Sequence, residues 1–123
     1  MSTKFFKILH KSKKSKAIKY FNKAIELRPN YAKAFASLGD YYSLKRDFYL
    51  AFKYYKKALE IDENFVLVYE RISMLFLKER ELDKAYEYLE KAQKLDPDNQ
   101  RIKENLNNLM KINDTIIIDF NTE

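Results

Sequence analysis

No cysteine occurs anywhere in the 123 residues, glycine occurs once, at Gly39, and proline twice, at Pro29 and Pro97. The missing thiols exclude disulfides, thiolate catalysis and Cys-ligated zinc, and they fit an intracellular, cytoplasmic protein. With so little glycine and proline there are few places to turn a sheet, so helices are expected. A lone glycine cannot build a phosphate-cradling loop either. Histidine is as scarce: His10 stands in a lysine-rich segment with no acidic neighbour to orient it, and no spacing of histidine and carboxylates suits a metal. Long apolar runs are missing as well. No uncharged stretch approaches the roughly 18 residues that a membrane span needs, and the N-terminus holds too many lysines for a signal peptide. No catalytic, metal or cofactor site is expected, and the length suits one domain.

Acid is absent from residues 1 to 23, which hold eight lysines: Lys4, Lys7, Lys11, Lys13, Lys14, Lys16, Lys19 and Lys23. The remaining residues carry sixteen basic and eighteen acidic side chains, so the formal charge of +6 comes from the N-terminal end. Clustered lysines release counterions from polyanions, so this end could work as an adaptor for nucleic acid or an acidic membrane surface. A solvated lysine-rich helix and loop accounts for the same charge.

What the chain does contain is an internal repeat. Residues 17–30 read AIKYFNKAIELRPN, residues 51–64 AFKYYKKALEIDEN and residues 85–98 AYEYLEKAQKLDPD, three segments in register without gaps at a step of 34. A fixed period in the range of about 20 to 50 residues identifies a repeat architecture. Ala17, Ala51 and Ala85 align, as do Tyr20, Tyr54 and Tyr88, and Ala24, Ala58 and Ala92. Between them, Phe35, Leu38, Gly39 and Tyr42 answer to Tyr69, Ile72, Ser73 and Phe76. Spacings of i, i+3, i+4 and i+7 describe one helical face, so each unit is a pair of helices. Small residues at matched places let the two axes approach closely. A glycine inside a helix costs about 1 kcal/mol relative to alanine, and close packing at Gly39 is the expected offset. Tyr20, Tyr42, Tyr54, Tyr55, Tyr69 and Tyr88 fall at or beside core positions, with hydroxyls that must reach water or a partner.

Helices are expected at 2–12, 15–28, 31–45, 48–61, 65–79, 82–95 and 99–112. Asp98 or Asn99 can cap the last, which bears Ile102, Leu106, Leu109 and Met110 on one face. Capping also accounts for Glu79, Glu81, Asp83 and Asp96 around the preceding turns. The tail from Asn113 to Glu123, NDTIIIDFNTE, is β-branched and without helical period, so it is expected to be disordered or docked on a neighbour.

The pattern resembles the tetratricopeptide repeat. Residues 32–65 supply Phe35, Leu38, Gly39, Tyr42, Ala51, Tyr55 and Ala58, with Glu63 where proline is usual; residues 66–99 supply Tyr69, Ile72, Ser73, Phe76, Ala85, Leu89, Ala92 and Pro97. Residues 1–31 match only in their second half, through Ala17, Phe21, Ala24 and Pro29, and make a degenerate or truncated repeat. Its apolar Phe5, Phe6, Ile8 and Leu9, with Phe21, are expected to leave an open edge for self-association or for burial by the tail. Residues 99–112 would be a capping helix.

The resemblance implies an all-α, right-handed superhelix of antiparallel helix pairs. It also implies a scaffold or adaptor role, with a protein or peptide held on the concave surface lined by the first helix of each repeat. The groove-facing places hold Lys33, Ala36, Ser37, Asp40, Ser43 and Leu44, then Leu67, Glu70, Arg71, Met74, Leu77 and Lys78, and Arg101, Glu104, Asn105 and Asn108 from the cap. A co-chaperone branch of the family grips a C-terminal carboxylate at places that here hold Ser2, Phe6, Ser37, Leu67 and Arg71, and only Arg71 fits. Arg71 is therefore the residue expected to pair with a carboxylate in the groove, because its planar fork supplies two aligned donors.

Overall fold

A computed structural model of the chain describes the backbone of residues 16–122 and the side chains of residues 16–115. Six helices and no strand lie among the described residues: α1 at 16–27, α2 Ala32–Leu44, α3 Phe48–Ile61, α4 Val66–Lys78, α5 Leu82–Leu95 and α6 Gln100–Thr122. The helix expected at 2–12 lies outside the described residues, and with it Phe5, Phe6, Ile8, Leu9, His10 and most of the basic cluster. The chain divides into two compact units in the loop after α3, one ending at Asp62 and one beginning at Glu63.

In the first unit, α2 packs on α3. Ala34, Phe35, Leu38 and Gly39 are buried on one helix, and Ala51, Tyr55 and Ala58 on the other. The close approach expected at Gly39 is present: a Cβ built there would lie 2.9 Å from Cγ of Tyr55 and closer still to Cδ1 and Cε1. Tyr55 is fully enclosed, and its hydroxyl donates to Oδ1 of Asp40 at 2.5 Å, so burial does not orphan the phenol. Tyr42 stacks on Tyr54 with ring centroids 5.5 Å apart. Burial, reinforced by Tyr54, pushes the Tyr42 phenol above its ordinary value. Tyr20 departs from the expected core stripe: it is 74% exposed. Twelve residues before it, where Tyr54 has Tyr42, the sequence has Ile8.

The second unit repeats these contacts with different residues. Phe76 stacks on Tyr88 at 5.6 Å, as Tyr42 does on Tyr54. Ser73 stands at the place of Gly39, and Leu89 at the place of Tyr55. Leucine is slimmer than tyrosine, which leaves room for the serine. The Ser73 hydroxyl donates to the buried carbonyl of Ala85 at 2.8 Å. Ala85, Leu89 and Ala92 of α5 join Ile102, Leu106 and Leu109 of α6 in one core, flanked by Val66, Tyr69, Phe76 and Leu82. The Tyr69 hydroxyl reaches the Glu63 carbonyl at 2.8 Å.

Helix ends follow the period too. α2 and α4 stop at Arg46 and Arg80, both left-handed with φ of 63° and 60°. The Arg46 amide donates to Ser43 and the Asp47 amide to Tyr42; Arg80 donates to Leu77 and Glu81 to Phe76. These are paired Schellman closures, which satisfy the last carbonyls of each helix. Asp47 then accepts from the Leu50 amide at 3.2 Å and caps α3. Glu81, at the same place before α5, makes no such bond and pairs with Lys84 at 3.1 Å instead. Its extra methylene carries the carboxylate past the amides that aspartate reaches, which corrects the expectation of a cap there. Between the two candidates for α6, Asn99 is the cap: its Oδ1 accepts from the Ile102 amide at 3.2 Å, and its side-chain amide donates to Asp96 at 3.0 Å.

The tail differs from expectation. α6 does not end at residue 112 but continues to Thr122, through the stretch read as strand-like. No glycine or proline lies beyond Pro97, so no stop signal interrupts the helix. Each β-branched residue costs only a few tenths of a kcal/mol in a helix, while propagation adds one hydrogen bond per residue.

Two predictions follow from the helix contacts. Ala58 and Ala92 have no exposed surface, so Ala58→Leu and Ala92→Leu should each lower the unfolding free energy in urea by about 1 to 3 kcal/mol through overpacking. Unchanged midpoints for both would refute the contact register. Gly39→Ala should destabilise although alanine is the better helix former, because its methyl meets a ring that is itself held by Asp40. Adding Tyr55→Leu should recover part of the loss in a double-mutant cycle, by importing the arrangement of the second unit.

Candidate functional site

The side chains expected to face a ligand are distributed over α2 in the first unit and over α4 and α6 in the second. In the first unit, Lys33 and Leu44 are exposed, Leu44 at 86%. Ser37 bonds back to the Lys33 carbonyl at 3.0 Å, the usual satisfaction of a serine inside a helix. Asp40 is half-buried and holds the Tyr55 hydroxyl, so one of the three acids expected to face the groove has a packing role.

In the second unit the expected residues converge. A cleft of about 190 Å³ opens between α4 and α6, lined by Glu70, Ser73, Met74, Leu77, Asn105, Asn108 and Ile112 over a floor of Leu89 and Leu109. Five expected residues, Glu70, Met74 and Leu77 from α4 with Asn105 and Asn108 from α6, therefore meet at one place. The i, i+4 and i+7 spacing of the first three, and the i, i+3 spacing of the last two, put each set on one face of its helix. Met74, Leu77 and Ile112 are exposed apolar side chains at this cleft. Leu67 and Lys78, though exposed, and Arg71 are not among its walls. Arg71 is half-buried, with its Nε enclosed.

The strongest polar interaction at the cleft was not foreseen from the sequence. Glu70 is only 5% exposed. Arg101 grips it with one edge of the guanidinium, Nε to Oε1 at 3.2 Å and Nη2 to Oε2 at 2.9 Å. Bidentate pairing of this kind fixes geometry as well as charge. The hydrogen bond and charge of Glu70 raise the Arg101 guanidinium above its already high value, so it remains a cation wherever the fold survives. The signal was present in the repeat register, where opposite charges fall at the fifth place of one repeat and the second place of the next. A second cleft, of about 330 Å³ and lined by Leu82, Asp83, Tyr86, Leu109, Met110 and Asn113, opens between α5 and α6, where no site residue was expected.

No group of three or more histidines or acids that could hold a metal occurs among the described residues. No helix among them is long and apolar enough to cross a membrane.

Comparison with known proteins agrees with the repeat register. The chain matches the tetratricopeptide repeat family over residues 9–31, 32–65 and 67–99, well over half its length. No curated protein sequence matches it significantly. Among solved structures it is similar to one described as the first TPR of Spaghetti (RPAP3) bound to HSP90 peptide SRMEEVD, with a TM-score of 0.71 and 18% identity over 89% of this chain and 87% of that one. At that identity the likeness is one of fold.

The paired carboxylate yields a stability prediction. Arg101→Met should lower the thermal midpoint more than Lys111→Met on the same helix, because it strands an enclosed carboxylate while the lysine is exposed. Equal midpoints by circular dichroism would show that the pair contributes nothing to the fold.

Proposed function

Because the chain belongs to the tetratricopeptide repeat family, we propose that it is a protein-interaction module, a scaffold or adaptor that holds a peptide segment of a partner against the faces of its first helices. The cleft between α4 and α6 carries this proposal. Side chains picked from the repeat register alone line it together, with exposed methionine, leucine and isoleucine beside two asparagines and the enclosed Glu70 carboxylate. Exposed apolar groups next to a few fixed polar ones are what a peptide needs, since the first supply affinity and the second orient the backbone. The fold neighbour described with a bound peptide supports the same class of ligand, although its peptide belongs to that protein. The lack of cysteine favours action in the cytoplasm.

Quantitative capture from the native cell tests the proposal. A Met74→Glu/Leu77→Glu variant should lose the partners that wild type retains, with a cost of about 2 kcal/mol or more for a central anchor. A Lys4→Ala/Lys7→Ala/Lys11→Ala variant should keep them. The reverse result would move function to the basic N-terminal end and to polyanion binding, which would show a steep salt dependence.

A further inference from the structure

Building on the proposal that the chain holds a peptide, we infer that the cleft between α4 and α6 takes one uncharged apolar side chain from within a partner's segment and excludes a carboxylate, because the Arg101 guanidinium is committed to Glu70. Size is the first observation. About 190 Å³ is below the range of roughly 300 to 1,000 Å³ usual for small-molecule sites and suits a single side chain. Chemistry is the second. Lysine, arginine and histidine are missing from the walls, and their one ionisable group is the Glu70 carboxylate.

The third observation is the state of Arg101. Two of the five N–H donors of Arg101 hold Glu70, and the residue is not among the walls. A carboxylate inside the cleft would therefore meet the Glu70 charge, with Arg101 brought in only if it released that acid, whose side chain is 6% exposed while that of Arg101 is 63% exposed. Release would leave an enclosed charge uncompensated, and breaking such a pair costs more than an exposed contact returns. An apolar side chain leaves the pair intact and covers Met74, Leu77 and Ile112. Each oxygen of Glu70 accepts one bond from Arg101 and has a second acceptor position, which suits a backbone N–H of the ligand. Asn105 and Asn108, one turn apart on α6, offer donors and acceptors to the peptide groups on either side, so the segment is internal to its chain and not a free C-terminus.

Titrations of the ¹⁵N-labelled chain test this with three probes. The first is a pool of acetylated, amidated peptides with a central Leu or Ile between Ser, Asn and Gln; the second is the same pool with a central Asp or Glu; the third is the acidic peptide SRMEEVD with a free carboxyl terminus. The apolar pool should shift the amide signals of Met74, Leu77, Asn105 and Asn108 saturably, and both acidic probes should bind at least about tenfold more weakly. Glu70→Gln, nearly isosteric, releases Arg101, so SRMEEVD should then bind about tenfold tighter than to wild type while the apolar pool changes little. Circular dichroism verifies the fold of that variant. Met74→Trp, at a half-exposed position, should fill the cleft and abolish the apolar shifts without loss of helix. Wild type binding SRMEEVD as tightly as the apolar pool, or apolar shifts confined to residues away from the cleft, would overturn the inference and leave the interaction proposal standing. Silence from all three probes would overturn the inference as well. The interaction proposal falls separately, if the Met74→Glu/Leu77→Glu variant captures the same partners as wild type.

Discussion

How closely two paired helices approach each other sets nearly everything else in both units. Where α2 meets α3, the backbone of Gly39 lies directly under the ring of Tyr55, so closely that no side chain of any size fits between them. Where α4 meets α5, Ser73 and Leu89 divide the same space differently, and the serine hydroxyl is satisfied by the Ala85 carbonyl. The fully enclosed alanines Ala51, Ala58, Ala85 and Ala92 maintain the approach along each pair. Dense interiors respond to a change of one methylene, so these residues vary in compensated sets. Glycine goes with tyrosine, and serine with leucine.

That constraint explains the arrangement of the polar groups as well. Packing a large aromatic against a glycine buries a phenol, which needs an acceptor, and Asp40 provides it at 2.5 Å. An acid that a repeat-based reading assigns to ligand binding is thereby drawn into the fold. The stacked pairs Tyr42–Tyr54 and Phe76–Tyr88 recur at the same step of 34 residues. The Schellman closures at Arg46 and Arg80 recur as well, with non-glycine residues accepting a left-handed conformation that costs on the order of 1 kcal/mol. Each is held there by the two hydrogen bonds that close the helix.

In the second unit the same packing leaves a cleft between α4 and α6. α5 is enclosed on its alanine side by α6, whose Ile102, Leu106 and Leu109 complete the core. The α4 side chains that point away from this core meet Asn105 and Asn108 across a narrow cleft. Glu70 is enclosed at its wall, and an enclosed carboxylate requires a partner. Arg101 answers that requirement with two hydrogen bonds. The charge pattern of the cleft is thus a consequence of packing on α4.

The sequence by itself determined the repeat, its step, the helical class of every described element, the limits of α2 to α5 to within a residue at each end, and the small residues where helices touch. These are carried by local propensity and by hydrophobic spacing, which one strand of letters records completely. Only the tertiary structure decided that Glu81 fails as a cap where Asp47 succeeds, that Asp40 serves Tyr55, that Tyr20 is exposed, and that Glu70 is enclosed and held by Arg101. The Asp40 and Glu70 pairings depend on reach across a gap between helices and the cap on reach within one turn, where one methylene or one rotamer changes the partner. The length of α6 belongs to a third category: β-branched letters suggested an end at residue 112, but helix propagation past them is cheap when no glycine or proline intervenes.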